Sequence, residues 1–135
     1  MFGQKSSAAT AYARVGIETK VSTASPHQLI VMLYDGALQA INTAAASMEA
    51  SDIPGKGKAI SQAINIITNG LKASLDMEAG GEISDRLAAL YDYMSQRLLQ
   101  ANLQNSRPAL DEVSNLLADL RGAWLEIANV ATETA

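Results

Sequence analysis

Cysteine is absent from this chain, which excludes disulfides and thiolate metal sites. The absence suits the cytosol without proving it, because a secreted chain can lack cysteine too. Aromatic residues are scarce, with one tryptophan, four tyrosines and one phenylalanine. A β-sandwich core would draw on more aromatic and β-branched side chains. The single histidine, His27, rules out the paired Glu-x-x-His ligands of helix-bundle di-metal sites. No serine stands in a nucleophile-elbow sequence. Gly55-x-Gly57 is too short for a phosphate loop, and Gly80-Gly81 follows a helical pattern rather than a strand. Positive charge is also limited: 10 Lys and Arg against 14 Asp and Glu leave a net charge of −4. A general nucleic-acid binder would need a concentrated basic patch instead. No stretch approaches the roughly 20 consecutive apolar residues of a membrane span. The opening MFGQKSSAATAYA lacks the continuous apolar core of a signal peptide. The chain reads as soluble and unprocessed, without membrane insertion, cofactor, metal or enzymatic activity.

What is present is a helical rhythm. The 135 residues are 48% hydrophobic, much of it alanine, enough for one domain with a real core. Three breaks, SDIPGKG at 51–57, AGG at 79–81 and NSRP at 105–108, leave four segments of about 22 residues, each about 33 Å long if helical. Ser25 is a good N-cap, Pro26 suits the first helical position, and Gln28 completes a capping box. The first helix is predicted from Pro26 to about Ala50, with a core stripe of Ile30, Leu33, Tyr34, Ala37, Ile41, Ala44 and Met48. The second, about 57–78, repeats the pattern with Ile60, Ile64, Ile67, Leu71 and Leu75, and the glycine pair ends it. The third, about 82–104, carries Ile83, Leu87, Leu90, Tyr91, Met94, Leu98 and Ala101. The fourth begins near Pro108, with Ser106 as its cap, and continues through Leu110, Val113, Leu117, Leu120, Trp124, Ile127 and Ala131. Four equal helices with short links predict an all-α, antiparallel up-down four-helix bundle over 25–135. Residues 1–24, small and polar with anchors at Tyr12, Val15 and Ile17, read as a loosely held N-terminal arm.

His27 is expected to be a solvated first-turn residue, since it lacks partners for a metal or base role. Asp76, Glu78 and Glu82 are expected to solvate a loop and favour the third helix's N-terminus.

Gly36 stands mid-helix in VMLYDGAL, where glycine costs about 1 kcal/mol relative to alanine. On a helical wheel, Leu29, Met32, Gly36 and Ala40 gather to one side of the first stripe. Ile66, Gly70, Ala73 and Met77 are displaced in the same sense on the second helix. These eight predict a second apolar strip, partly outside a single core, with the glycines as low points in a docking surface. The glycines would equally permit tight packing of the two helices against each other. Met32 and Met77 suit a surface that adapts to a helical partner. Leu33-Tyr34-Asp35 is echoed by Leu90-Tyr91-Asp92 at the same phase, which suggests similar packing of the two tyrosines in diagonal helices. Each hydroxyl is expected to find a polar partner or water at the bundle edge.

Ser25-Pro26-His27-Gln28-Leu29-Ile30 followed by Met32-Leu33-Tyr34-Asp35-Gly36-Ala37-Leu38 resembles the flagellar export chaperone family, FliS. So do Leu75-Asp76, Gly80-Gly81-Glu82-Ile83, Leu90-Tyr91-Asp92-Tyr93-Met94, Ala101-Asn102, and Leu120-Arg121 with Ala123-Trp124. The order and spacing fit from about Tyr12 to Ile127, with Arg86 and the alanine-rich arm less typical. The resemblance implies a non-enzymatic bacterial cytoplasmic chaperone. Such a protein binds the C-terminal segment of flagellin, prevents premature polymerisation and delivers it to the flagellar type III export apparatus. The eight-residue strip would then be the client's track, and the free protein a monomer or homodimer. Two other readings of the residues stand beside it: an exported helical subunit of a filament or secretion apparatus, and an adaptor sequestering a regulatory protein.

An empty apolar track is an aggregation liability, and the arm has the composition to fold back over it. A tethered competitor of this kind lowers client affinity. Deleting residues 2–18 is therefore expected to tighten binding of a flagellin C-terminal peptide and to increase self-association. Titration and sedimentation of full-length and truncated protein check both effects.

Overall fold

Ser25 starts the first helix through its side chain. Its hydroxyl accepts from the Gln28 N–H at 3.1 Å, while the Gln28 carboxamide oxygen accepts from the Ser25 N–H at 2.8 Å. This reciprocal capping box, followed by proline at the first position, satisfies donors that a helix start leaves unpaired. The structure, a computed structural model, describes residues 25–134, with side chains described through Ile127. The expectations for the arm and for Tyr12, Val15 and Ile17 lie outside the described residues.

Helix α1 spans Pro26–Glu49, α2 spans Ile53–Asn65, α3 spans Met77–Gln104 and α4 spans Arg107–Thr134. Helix α2 begins at Ile53 rather than near 57 because Asp52 caps it, accepting from the Gly55 N–H at 3.0 Å. It runs on directly as a π-helical segment, Ile66–Lys72. The second helical stretch thus ends at Lys72, short of the predicted 78. A turn follows, in which the Ser74 N–H and hydroxyl both reach the Leu71 carbonyl, at 3.3 and 2.8 Å. The predicted break at the glycine pair is a kink inside α3, whose first turn starts at Met77. Gly81 there adopts φ 53° and ψ −126°, a conformation that only glycine adopts without strain. A Cβ on neighbouring Gly80 would collide with the Ser84 hydroxyl, which donates to the Asp76 carbonyl at 2.9 Å. Ser106 caps α4 as predicted, accepting from the Ala109 N–H at 3.3 Å.

Helix α1 packs between α2 and α4, and α3 closes the ring against the π segment, α2 and α4. This is the all-α four-helix bundle that the periodicity predicts. Leu33, Ile41, Ile60, Ile67, Leu98 and Leu117 are buried at its centre, each contributing about 1.5–3 kcal/mol. By length and composition alone α1 could cross a membrane, which corrects the view that no segment qualifies. Here its apolar residues supply the bundle core, from Leu29 to Ala45, and Asp35 pairs with Arg121 at 2.5 Å.

One charge lies inside. Lys56 is 3% exposed, and its ammonium donates to the Asn102 carbonyl at 3.0 Å and to the Asn105 side-chain oxygen. It thereby caps, from another helix, the last turn of α3, where the dipole leaves carbonyls unpaired and partly negative. Removing it strands those acceptors. Lys56→Ala is expected to cost about 2 kcal/mol in urea unfolding, while Lys58→Ala, exposed one turn-face away, stays within about 0.5 kcal/mol.

Candidate functional site

The predicted stripes are not covered along their whole length. In the body of the bundle Tyr91, Met94 and Leu98 are buried, yet Ile83 of the same stripe is 71% exposed. Helix α4 shows the same change, from buried Leu110, Val113 and Leu117 through half-buried Leu120 and Trp124 to exposed Ile127. These uncovered residues share one end, where α1 begins, the π segment ends, α3 begins and α4 finishes. Of these, Ile83 and Trp124 line a cavity of about 460 Å³. Its walls are Ile30 of α1, Leu71 and Leu75 beside the turn, Ile83 and Leu87 of α3, and Trp124 of α4. The glycine pair sets one wall, because the kink at Gly81 turns the first helical turn of α3 aside while Gly80 lets Ser84 bond across it.

The floor is polar. Tyr34 and Tyr91, each 3% exposed, line the cavity and place their hydroxyls 2.6 Å apart. The repeated Leu-Tyr-Asp triplets thus do pack alike in diagonal helices, and the hydroxyls meet each other at the centre rather than separate partners at the edge. The two aspartates of the triplets pair outward, Asp35 with Arg121 at 2.5 Å and Asp92 with Lys72 at 2.7 Å. Such partly exposed pairs add little energy each. Burial pushes the ionisation of both phenols above its ordinary value near 10, and for Tyr91 the neighbouring Tyr34 raises it further.

At the rim, His27 stacks on Trp124, ring centres 4.7 Å apart, and the indole N–H donates to the His27 carbonyl at 3.2 Å. His27 is therefore not the solvated residue expected from sequence: its Nε2 is buried, with no hydrogen-bond partner among the described residues. The indole ring, ninety-seven positions along the chain, is what covers it. Trp124 in turn is half-buried. Among the described residues Asp76 is the one charged residue of the lining, and it caps α3 by accepting from the Ala79 N–H at 3.0 Å. Glu82 pairs with Arg86 at 2.5 Å. Among the described residues no group of acidic and histidine side chains is arranged to hold a metal.

None of the eight residues of the predicted strip lines the cavity. Leu29, Ala40, Ile66 and Gly70 are buried, Met32 and Gly36 are half-buried, and Ala73 and Met77 are exposed. The wheel erred most for Ile66, which is fully buried. It assumes about 100° per residue, whereas the π segment hydrogen-bonds five residues apart and winds more slowly. Both Ile66 and Ile67 consequently face inward. The apolar walls of the cavity belong to the predicted core stripes, and the incomplete coverage of Ile83 and Trp124 marks out that end.

Fold and site define an all-α four-helix bundle whose described core is left uncovered at one end. Comparison with known proteins makes this specific. The family described as flagellar protein FliS matches residues 8–131. The chain is 54% identical over 122 residues to the flagellar secretion chaperone FliS of Salmonella typhimurium, covering 90% of each. It is 48% identical to that of Escherichia coli K12, over 86% of this chain and 85% of the relative. Pseudomonas aeruginosa flagellar secretion chaperone FliSB is 46% identical, over 84% and 89%. The chain belongs to the FliS family of flagellar secretion chaperones.

The hydroxyl pair should reveal itself in alkali. Folded-state ionisation lies above the unfolded value, so the pair's contribution is complete below about pH 10 and is lost as pH rises beyond it. Urea midpoints are expected to fall more steeply between about pH 9 and 11 in the wild type than in Tyr34→Phe/Tyr91→Phe. Tyrosinate absorbance should show both phenols resisting ionisation until the bundle unfolds.

Proposed function

We propose that this chain is a non-enzymatic cytoplasmic chaperone of flagellin. It binds the client's C-terminal segment across the open end of the bundle, blocks polymerisation and hands the client to the flagellar export apparatus. The observation that carries this reading is the exposure of the core-stripe residue Ile83, beside half-buried Trp124, in a cavity with apolar walls. A self-sufficient bundle would close over them. A client that is disordered when free must bury much apolar surface to offset the entropy of its ordering. Uncovered core is the strongest surface available for that, because the walls are already shaped to receive apolar side chains. Of the predicted strip, exposed Ala73 and Met77 and half-buried Met32 and Gly36 are the residues a client could also cover. Ser25 stands at the same end, so the arm with Tyr12, Val15 and Ile17 begins where it can compete with the client.

Ile83→Asp places a charge at the mouth without burying one in the core. It is expected to weaken binding of a flagellin C-terminal peptide at least tenfold while the helical melt stays within a few degrees of wild type. Calorimetric titration and circular dichroism measure the two effects. Undiminished binding would show that the client goes elsewhere.

A further inference from the structure

Charge is not spread evenly along the bundle. Asp35 and Asp92, next to the two tyrosines in the chain, are each matched by a cation, Arg121 and Lys72. Beyond these pairs the open end carries Asp76, Glu78, Glu82, Asp85 and Glu126 against Arg86 alone, a net −4. Arg86 is itself taken by Glu82, so no described cation is left for the other four. The rest of the described bundle is nearly balanced, with four cations, Lys56, Lys58, Arg97 and Arg107, against five carboxylates. The dipole of α3 accounts for little of the excess, since a helix start is equivalent to about half a positive charge. One of the five carboxylates belongs to the cavity itself. Asp76 is half-buried in the lining; one oxygen accepts from the Ala79 N–H at 3.0 Å, and the other has no donor among the described residues. An apolar occupant alone would seal this carboxylate from water unpaired, which is costly. An acidic occupant would be repelled. A neutral donor would satisfy the oxygen and leave the charge excess standing, so only a cation answers both.

We propose that the client segment filling this cavity carries a lysine or arginine beside its apolar anchor, and that this cation pairs with Asp76 while the anchor covers Ile83. The methylene stem of either side chain lies along the apolar rim as its head reaches the carboxylate. Glu78, Asp85 and Glu126, exposed at the same end, supply the negative field that draws the segment in and speeds its association. This rests on the open end being the client's site, and it adds orientation. An apolar groove alone accepts a helix running either way, whereas a cation to one side of the anchor fixes its direction.

The test uses the full chain and a flagellin C-terminal peptide in which each lysine and arginine is replaced in turn by glutamine. One replacement is expected to weaken binding about tenfold to wild type and less than about twofold to Asp76→Asn. Asparagine caps a helix as well as aspartate does, so this variant removes the charge and keeps the start of α3. Stopped-flow association supplies a second measurement. Between about 0.05 and 0.5 M salt the rate is expected to fall about tenfold for wild type, and about threefold or less for Glu78→Gln/Asp85→Gln/Glu126→Gln. These side chains are exposed, so the triple variant carries the comparison should Asp76→Asn fold poorly. Lys58→Gln, at the clamped end, is expected to change neither reading. If no client cation shows the coupling, or the rate is indifferent to salt, while Ile83→Asp still abolishes binding, the cavity takes its client by apolar contact alone and the proposal is overturned. It is overturned equally if the coupling to Asp76 appears instead when Lys5, Arg14 and Lys20 of the arm are replaced by glutamine, which makes the arm the partner of the acidic rim. If Ile83→Asp has no effect, the open end itself is not the site and both readings fall.

Discussion

Two tyrosine hydroxyls, 2.6 Å apart between diagonal helices, mark the point on which the molecule turns. Diagonal helices in a four-helix bundle seldom touch directly, since their neighbours stand between. A phenol is long enough to span that distance, and its hydroxyl cannot be buried alone. Tyr34 and Tyr91 solve each other's problem, and in doing so tie α1 to α3 across the centre. On one side of this bond lies a dry core of leucine, isoleucine and alanine. On the other the same stripes run out into an open cavity. The bond therefore closes the core and floors the cavity at once.

The rest of the open end follows from devices that hold the helices apart there. Ser74 ends the π segment by bonding its last carbonyls, and Asp76 begins α3. The Gly80-Gly81 kink then tilts the first turn of α3 aside. At the opposite end, the buried ammonium of Lys56 fastens α2 to the last turn of α3. One end of the bundle is thus clamped by a charge-assisted cap, and the other is propped open by a kinked entry. A bundle clamped at both ends would have a complete core and nothing to offer a partner.

Membership of the FliS family and the open-ended core bear on one another. Holding a secretion substrate requires a surface apolar enough to bind and a body stable enough not to collapse onto itself. The division at the tyrosine pair separates these demands: the closed part holds the core together, and the open part leaves apolar surface uncovered. The His27–Trp124 stack sits at the junction of the first and last helices, so α4 also shapes the cavity's rim.

Much of this could be read from the chain alone. Helix number, the Ser25 and Ser106 caps, the core stripes and the family resemblance all follow from local periodicity, capping chemistry and motif order. Capping depends on residues three apart, and a stripe on residues three and four apart, so both are visible without the fold. Which apolar residues go uncovered was not legible in the same way. Ile83, Leu87 and Trp124 read as ordinary core, because a stripe states which face is apolar and not whether a neighbour covers it. The wheel placed Ile66 on the surface because it presumed uniform winding, and no local pattern announced the π segment of Ile66–Lys72. His27 was given to solvent because the indole that covers it lies at the far end of the chain. The sequence by itself determined what can pack and where the first and last helices start. Only tertiary structure decided which apolar residues go uncovered and that two distant phenols share one hydrogen bond, because both depend on how four rods converge at one end.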